Sequence, residues 1–294
     1  MNSKKWDKVA TAVLYAVALF IIVILFTLLA YILIQGLPHV TWHFLTSPAK
    51  AFTKGGGIGI QLFNSFYLLF LSMLISVPIS IGAGIYLAEY APKNWVTDLL
   101  RNAIEILSSL PSVVVGLFGF LVFVLQFGFG FSILSGALAL TLFNLPLLTR
   151  NVEDSLEAVS FSQVEAGMGL GLSRWTTVLH IILPEALPGI ITGMILGAGR
   201  VFGEAAALIY TAGQSAPALD FTNWNPFYIA SPLNPMRPAE TLAVHIWKIN
   251  SEGIMPDATA VSAGSSAVLV LAVLLFNLAA RVIGNRIYKK LTAE

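Results

Sequence analysis

The chain has 294 residues, of which 57% are hydrophobic and only 11% are charged, and this composition excludes an ordinary soluble globular protein. The formal net charge is +1, so no net field exists to attract nucleic acid or anionic solutes over long distances. The absence of cysteine excludes disulfides, thiolate nucleophiles and cysteine-ligated zinc. The sequence therefore predicts an all-α, polytopic integral membrane protein.

Long uncharged stretches predict six transmembrane helices in one domain, residues 1–294, because a helix needs about 20 apolar residues to cross about 30 Å of hydrocarbon. The first stretch is too long for the apolar part of a signal peptide and lacks a small-residue cleavage site, so we expect it to be retained. Gly128 and Gly130 predict a turn between the third and fourth spans. The predicted spans are about 9–34, 61–88, 110–127, 131–149, 188–211 and 259–283.

The distribution of Lys and Arg predicts the orientation of these spans, since an even number of spans places both termini on one side. That side carries eleven cations, which are Lys4, Lys5, Lys8, Lys93, Arg101, Arg150, Arg174, Arg281, Arg286, Lys289 and Lys290. The opposite side carries four, which are Lys50, Lys54, Arg237 and Lys248. The positive-inside rule therefore predicts cytoplasmic termini, a cytoplasmic loop at 150–185 and an external loop at 214–258.

The external loop combines several prolines with a plausible short helix at 239–250. Such a segment could be a platform for a solute receptor or a lid over the bundle, and the sequence favours neither.

The sequence of the cytoplasmic loop predicts two short helices. Ser160 or Ser162 can cap the first, Glu165 suits the positive end of its dipole, and Gly171 would end or bend it. The second would run from about Ser173 to a break at Leu183–Pro184.

The spacing of residues in this loop resembles the EAA loop of binding-protein-dependent ABC import permeases. The matching positions are Glu165, Ala166, Gly167, Gly171, Ile181, Leu183 and Pro184. The resemblance implies a type I ABC importer permease fold, in which this loop is the coupling helix and Glu165, Ala166 and Gly171 contact the ATP-binding subunit. One position departs, because Gly167 stands where the family often has Ala, which lowers local helix propensity by about 1 kcal/mol.

Further motifs resemble the inorganic phosphate permeases, and in particular their A-type subunit. They are Gly55–Ile58, Tyr86–Pro92, Leu110–Ser112, Gly116–Gly119, Gly199–Arg200 and Gly203–Glu204. The resemblance implies phosphate transport with three kinds of partner: a C-type sister permease, a dimer of ATP-binding subunits and an extracytoplasmic phosphate-binding protein. The run Glu204–Ala207 departs from an expected Glu-Thr-Ala-Pro and lacks the hydroxyl and the proline of that run.

Two ionisable residues, Arg200 and Glu204, lie within the fifth predicted span, and charges inside a membrane are functional candidates because they are costly there. Their spacing of one helical turn predicts that they face each other. A guanidinium can bind two oxygens of a phosphate at once. We therefore expect Arg200 to assist anion passage near mid-membrane and Glu204 to hold its orientation. A buried structural ion pair between helices or subunits is the alternative.

The same span carries glycines at four-residue spacing, Gly189, Gly193 and Gly197, and this pattern predicts close packing against a neighbouring helix. Arg200 and Glu204 are expected to continue this stripe and to face the bundle interior.

Other features indicate no chemistry in this chain. No glycine-rich stretch continues into the Gly-Lys-Ser/Thr helix start of a nucleotide site, so any ATP hydrolysis is expected in a partner subunit. His39 and His43 could share a helical face but have no acidic residue nearby in the sequence, and we expect no metal site and no cofactor. Three alternatives stay open: a sulfate or molybdate importer, a self-contained channel or carrier, and, most weakly, an intramembrane enzyme.

Overall fold

The computed structural model describes residues 3–50, 52–252 and 256–291. Within these ranges the regular secondary structure is helical, with no β-strand. Five helical segments are long and apolar enough to cross a membrane, and they are Trp6–His39, Gly59–Tyr90, Ile133–Glu157, Arg174–Phe202 and Ala258–Arg286. The prediction of an all-α, polytopic membrane protein is therefore confirmed. Residues 1–2, 51, 253–255 and 292–294 belong to the predicted single domain, and 253–255 also to the predicted external loop; they lie outside the described residues.

The α-helices are numbered here in chain order. They are α1 (Ser3–Gly36), α2 (Trp42–Thr46), α3 (Gly59–Ile85), α4 (Trp95–Ser108), α5 (Ser112–Gly119), α6 (Ile133–Glu157), α7 (Phe161–Gly169), α8 (Arg174–Thr177), α9 (Leu183–Phe202), α10 (Ala206–Thr211), α11 (Leu242–Glu252) and α12 (Ala258–Leu291). Wider π-helical turns extend α3 (Tyr86–Tyr90) and α5 (Phe120–Gln126), and a third one joins α8 to α9 (Val178–Ile182).

The centre of the bundle is formed by α3, α6 and α9, with α12 packed against the outside of α9. Small residues bring these helices close together. A Cβ added to Gly84 of α3 would lie 2.5 Å from Val152 Cγ1 of α6. Leu68, Leu140 and Ala198, one from each central helix, belong to a single buried cluster. The three helices therefore share one core.

The first helix, α1, stands largely outside this core. No residue in its most apolar stretch is buried, and it packs mainly against α12. Gly36, at its C-terminal end, is buried against the backbone carbonyl of Ala263 on α12. α1 is therefore held by one neighbour within this chain.

The structure contains no single straight helix over the third predicted span, 110–127. The helix from Ser112 to Gln126 extends only about 22 Å at 1.5 Å per residue, which is shorter than the hydrocarbon core. It follows α4 after a bend of 100°, and Pro111 lies at this bend in an extended conformation that a helix cannot contain. Only the bent pair Trp95–Ser108 and Ser112–Gln126 together could form a sixth span.

The amphipathic helix α4 is fastened to α6 by charge. Arg101 Nε lies 2.6 Å from the buried carboxylate oxygen Oε1 of Glu153, and Arg101 Nη2 donates to the Leu87 carbonyl at 3.2 Å. Large apolar side chains of α4 remain exposed, including Trp95 and Leu99. The polar face of α4 thus meets the bundle, and its apolar face points away.

The helix of the structure differs in its bounds from the fifth predicted span, 188–211. The helical segment begins at Arg174 and runs to Phe202, so Leu183–Pro184 does not break it. Pro184 occupies the first turn of α9, where its missing N–H matters least, directly after the π-helical turn. The chain then leaves the helix at Gly203 and begins the separate short helix α10 at Ala206.

The bundle has two distinct ends. At the first, named here the α11 end, α6 begins beside the segment before α11, where the Ile133 N–H donates to the Arg237 carbonyl at 2.9 Å. At the second, named the α7 end, α3 and α6 finish in a buried cluster with Val164 of α7 and with the turn that follows α8. Gly128 and Gly130, with φ of 71° and 63°, turn the chain back into α6 at the α11 end. The two long interhelical segments therefore lie at opposite ends.

Candidate coupling and translocation sites

The α7 helix presents the first residues of the EAA-like pattern on its surface. Glu165 and Ala166 are exposed, and so are the apolar side chains of Met168 and Leu170, whose side chain is 83% exposed. Gly171, with φ +80°, turns the chain back toward α8. The result is an exposed, partly apolar surface at the α7 end of the bundle.

Gly167 points the other way and is buried. A Cβ at this position would lie 2.6 Å from Ile181 Cδ1 and 3.2 Å from Thr177 Cγ2. The structure thus brings Gly167 and Ile181 of the pattern together, and the missing methyl group lets α7 approach the returning chain. This contact gives a packing reason for Gly at the position where related loops often carry Ala.

The chain after α8 anchors this surface to the bundle. Val178 and Ile182 are buried in one cluster with Ile85 of α3 and Val152 of α6, and Leu183 packs against the same cluster. Pro184 follows in the first turn of α9. A displacement of α7 would therefore be transmitted directly to the central helices.

A polar contact missed by the sequence analysis adds to this attachment. Arg174 Nη2 lies 3.7 Å from Glu89 Oε2, and its guanidinium sits 5.4 Å from the centre of the Tyr90 ring. Glu89 and Tyr90 belong to the π-helical turn that ends α3. No local spacing could have revealed the contact, because the partners are far apart in the sequence.

The glycine stripe of α9 lies against α6. A Cβ at Gly189 would lie 2.6 Å from Ser155 Oγ, one at Gly193 would overlap the Asn151 side chain, and one at Gly197 would lie 2.9 Å from Leu148 Cδ2. Side chains of α6, two of them polar, therefore fill the space that the glycines leave.

Arg200 and Glu204 do not form the predicted helical pair. The helix ends at Gly203, and Glu204 Oε1 instead accepts the Ala207 N–H at 3.2 Å, capping α10. Arg200 lies with its guanidinium carbon 3.8 Å from the centre of the Phe143 ring, a cation–π contact. In the part of the chain that the structure describes, no carboxylate lies within ion-pair distance of Arg200.

The position of Arg200 along the bundle axis follows from that of Phe143, the α6 residue that it contacts. Phe143 comes about ten residues after the start of α6 at Ile133, or roughly 15 Å along a helix that ends at Glu157. Arg200 is half-buried there. The arrangement therefore places a permanent cation near the middle of the bundle, on an aromatic face and without a fixed counter-ion among the described side chains.

The α11 end holds a buried polar network that the sequence analysis did not identify. Arg237, only 4% exposed, donates to Asn64 Oδ1 at 2.8 Å and to the Pro232 carbonyl at 2.9 Å. Asn64 Nδ2 in turn donates to the Glu240 carbonyl at 2.9 Å. Burial lowers the pKa of Arg237 to about 10, against an opposing effect of Tyr67. The network ties the segment before α11 to α3.

Glu240 is the second charge of this network. Gln61 Nε2 donates to Glu240 Oε2 at 2.8 Å, while His245 Nδ1 and Lys248 Nζ lie 3.2 and 3.8 Å from Oε1. Burial alone would raise the pKa of Glu240, but the hydrogen bonds and charges of His245, Gln61 and Lys248 together hold it below its ordinary value. Glu240 is therefore an ionised, buried carboxylate.

His39 and His43 line a small cavity together with Asp257, whose Oδ2 accepts the Gly55 N–H at 2.9 Å. Across residues 3–50, 52–252 and 256–291, no three His, Asp or Glu side chains converge as they would around a metal ion.

The chain is similar in sequence to known transport permeases. Residues 80–293 match the family described as binding-protein-dependent transport system inner membrane component. Over the whole of both chains, the sequence is 55% identical to the probable ABC transporter permease protein YqgI of Bacillus subtilis. It is 34% identical to the phosphate transport system permease protein PstA of Yersinia pestis, over 85% of this chain and 79% of the relative.

Solved structures show the same fold. A chain of a bacterial alginate ABC transporter, in complex with an alginate-bound periplasmic protein, superposes with a TM-score of 0.68 over 97% of this chain and 96% of its own, at 13% identity. A chain of the inward-facing MetNI methionine ABC transporter superposes with a TM-score of 0.56 over 80% and 94%, at 20% identity. The predicted ABC importer permease fold is confirmed. The chain therefore belongs to the binding-protein-dependent transport system inner membrane component family, and it is a permease subunit of an ABC importer.

Proposed function

We propose that this permease carries inorganic phosphate across the bacterial cytoplasmic membrane. The single observation that carries the proposal is Arg200, a half-buried guanidinium that rests on the Phe143 ring near the middle of the bundle. Relatives described as phosphate transport permeases, at about 34% identity over 85% of the chain, support the choice of anion.

Arg200 suits a transport path because it can bind and release. Its planar fork can donate to two phosphate oxygens, and its permanent charge lowers the barrier to an anion in low dielectric. The Phe143 ring holds the guanidinium without neutralising it. Glu204, which follows the end of α9 and accepts a hydrogen bond from the first turn of α10, shapes the break beside Arg200 and adds a negative charge that opposes permanent trapping.

The α7 end is the proposed cytoplasmic side, where α7 acts as the coupling helix on an ATP-binding subunit. Glu165 and Ala166 lie on its exposed surface, and Gly171 turns the chain that follows. ATP-driven closure of the two ATP-binding subunits would move α7, and the buried residues Val178 and Ile182 would carry the movement to α3, α6 and α9 in alternating access. Both termini lie on the cytoplasmic side in this arrangement.

The complete importer contains three further kinds of subunit. A C-type sister permease would complete the pathway, a dimer of ATP-binding subunits would hydrolyse ATP, and an extracytoplasmic phosphate-binding protein would deliver substrate to the α11 end. The chain itself performs no chemistry and holds no cofactor in this mechanism.

The test is labelled-phosphate uptake in a bacterial host that lacks its own phosphate uptake and expresses this chain with its partner subunits. We expect ATP-dependent uptake that excess sulfate or molybdate does not inhibit, and loss of uptake in Arg200→Ala with assembly and ATPase retained. Arg286→Ala, which removes an exposed cation near the end of α12, is the matched control. Inhibition of uptake by sulfate would show that the importer accepts another oxyanion. If the complex with Arg200→Ala failed to assemble, Arg200 would have a structural role instead.

A further inference from the structure

A cavity of about 490 Å³ opens at the α11 end, between the start of α3 and α11. It lies apart from Arg200 and has no role in the transport step described above. The residues that line it include Gln61, Gln214, Glu240, His245 and Lys248. The volume is sufficient for a small solute with part of its hydration shell.

The floor of this cavity is buried and polar. Gln61, Glu240 and His245 are each less than 5% exposed, although all three line the cavity. Glu240 holds the other two in place, through the hydrogen bond from Gln61 Nε2 and the 3.2 Å contact with His245 Nδ1. Lys248 adds a cation beside the same carboxylate and donates to the Gln214 carbonyl at 3.0 Å. The floor is therefore organised before any ligand arrives.

Four polar atoms of this floor are left without a hydrogen bond. Among the described residues, no hydrogen bond reaches Gln61 Oε1, Glu240 Oε1, His245 Nδ1 or His245 Nε2, although His245 Nδ1 lies 3.2 Å from Glu240 Oε1. Buried polar atoms in folded proteins nearly always have a partner, and an unpaired one is unfavourable. The pattern indicates that a polar molecule occupies the cavity in the working protein.

The lining residues restrict the chemistry of that molecule. Lys248 can donate hydrogen bonds, and His245, whose Nδ1 faces Glu240, can donate from Nε2 in its imidazolium form, whereas the Glu240 carboxylate and Gln61 Oε1 only accept them. A suitable ligand must therefore offer both acceptor oxygens and at least one O–H group. Phosphate at neutral pH retains a proton and meets this requirement. Sulfate and molybdate are fully ionised and would place bare oxygens against the two acceptors.

We propose that this cavity binds protonated phosphate on its way to Arg200, with Glu240 accepting the phosphate O–H and with His245 and Lys248 donating to its other oxygens. The inference rests on the proposed transport of phosphate. It adds a selection step, because a site that hydrogen-bonds a ligand hydroxyl strongly rejects an analogue that lacks it.

The experiment measures the binding of inorganic phosphate to the assembled importer in lipid nanodiscs, without the extracytoplasmic receptor, from the line width of the phosphate signal in phosphorus NMR. Arsenate, which also retains a proton, and sulfate serve as competitors. The variants are Glu240→Gln and His245→Gln, and Asp220→Asn is a matched control because it changes a half-buried carboxylate outside the cavity. Comparison between variants cancels any phosphate that the partner subunits bind.

In the wild-type complex and in Asp220→Asn, we expect phosphate binding that arsenate displaces and sulfate does not. Glu240→Gln should weaken phosphate binding by about tenfold, the loss of one hydrogen bond to a charged group, and should let sulfate compete because an amide N–H replaces an acceptor. If Glu240→Gln fails to assemble, His245→Gln, which keeps the carboxylate, should still weaken phosphate binding.

Equal phosphate affinity in the wild type and in the assembled variants would show that the cavity holds water only and would overturn the proposal. Displacement of phosphate by sulfate as readily as by arsenate would overturn it too. Failure of the proposed function is a separate result, since it requires that the wild-type complex with its receptor show no ATP-dependent phosphate uptake.

Discussion

The two ends of the bundle are built in different ways. At the α7 end, the key contact joins Gly167 to Ile181, two residues of one short pattern, and it depends on the absence of a methyl group. At the α11 end, the key contacts are charged hydrogen bonds between residues far apart in the chain, such as Gln61 and Glu240, which are separated by 179 positions. The packing at the α7 end suits a surface that moves when a partner subunit binds to it. The hydrogen bonds at the α11 end suit a rigid site around a solute.

The largest effect is expected from a substitution in the buried polar network at the α11 end. Arg237→Ala leaves Asn64 Oδ1 and the Pro232 carbonyl without their donor inside the protein. We expect a loss of about 3 kcal/mol in the free energy of unfolding, because removing one partner of a buried charged network costs far more than an exposed pair. Thermal unfolding of the purified complex measures it. Arg150→Ala removes an exposed ion pair with Asp154 and a 3.8 Å contact with Glu153, which keeps Arg101 as its closer partner. This control should change stability by less than about 1 kcal/mol, and equal effects would contradict the comparison.

A second change tests the helix pair that joins the two ends. Gly193→Ala places a methyl group on the Asn151 side chain and should destabilise the complex by about 2 kcal/mol through overpacking. Gly199→Ala, on the same helix, is the control, because its Cβ would lie 3.6 Å from the nearest atom, Asn277 Oδ1. Unfolding in detergent compares the two. Tolerance of Gly193→Ala would show that α6 and α9 separate more easily than their packing indicates.

A third change tests the difference between the two ends by altering only the position of the α7 surface. Gly167→Leu forces α7 away from Ile181 and should lower the phosphate taken up per ATP hydrolysed by about tenfold, with assembly retained. Simultaneous uptake and ATPase assays of the reconstituted importer give this ratio. Gly82→Leu, where a Cβ meets nothing within 4 Å, should leave the ratio unchanged. If Gly167→Leu left the phosphate taken up per ATP hydrolysed unchanged, α7 would not couple ATP hydrolysis to transport.

The smallest effect concerns the exposed contact at the α7 end. The Arg174 side chain is 57% exposed, so Arg174→Gln should alter stability by less than about 1 kcal/mol, and only at low salt. Unfolding at two ionic strengths measures this change, with Arg174→Lys as the charge-conserving control. A loss comparable to that of Arg237→Ala would show that both ends depend on charge to the same degree.

The sequence predicts the helices and the α7 pattern because both depend on neighbours along the chain. It does not predict the bend at Pro111, since a run of apolar residues looks the same in a straight helix and in a bent pair. It also misplaces Glu204, because four-residue spacing implies a pair only if the helix continues, and Gly203 ends it. The Arg237 network depends on tertiary contacts alone, so no local pattern reveals it.

The isolation of α1 has a consequence for how the protein is made. Since no residue in its most apolar stretch is buried against this chain, α1 does not need the other described helices to cover that stretch. It precedes α12, its main packing partner here, and can therefore enter the membrane before α12 is synthesised. The contact between Gly36 and Ala263 then forms only after the helices that lie between α1 and α12 in the chain have been made.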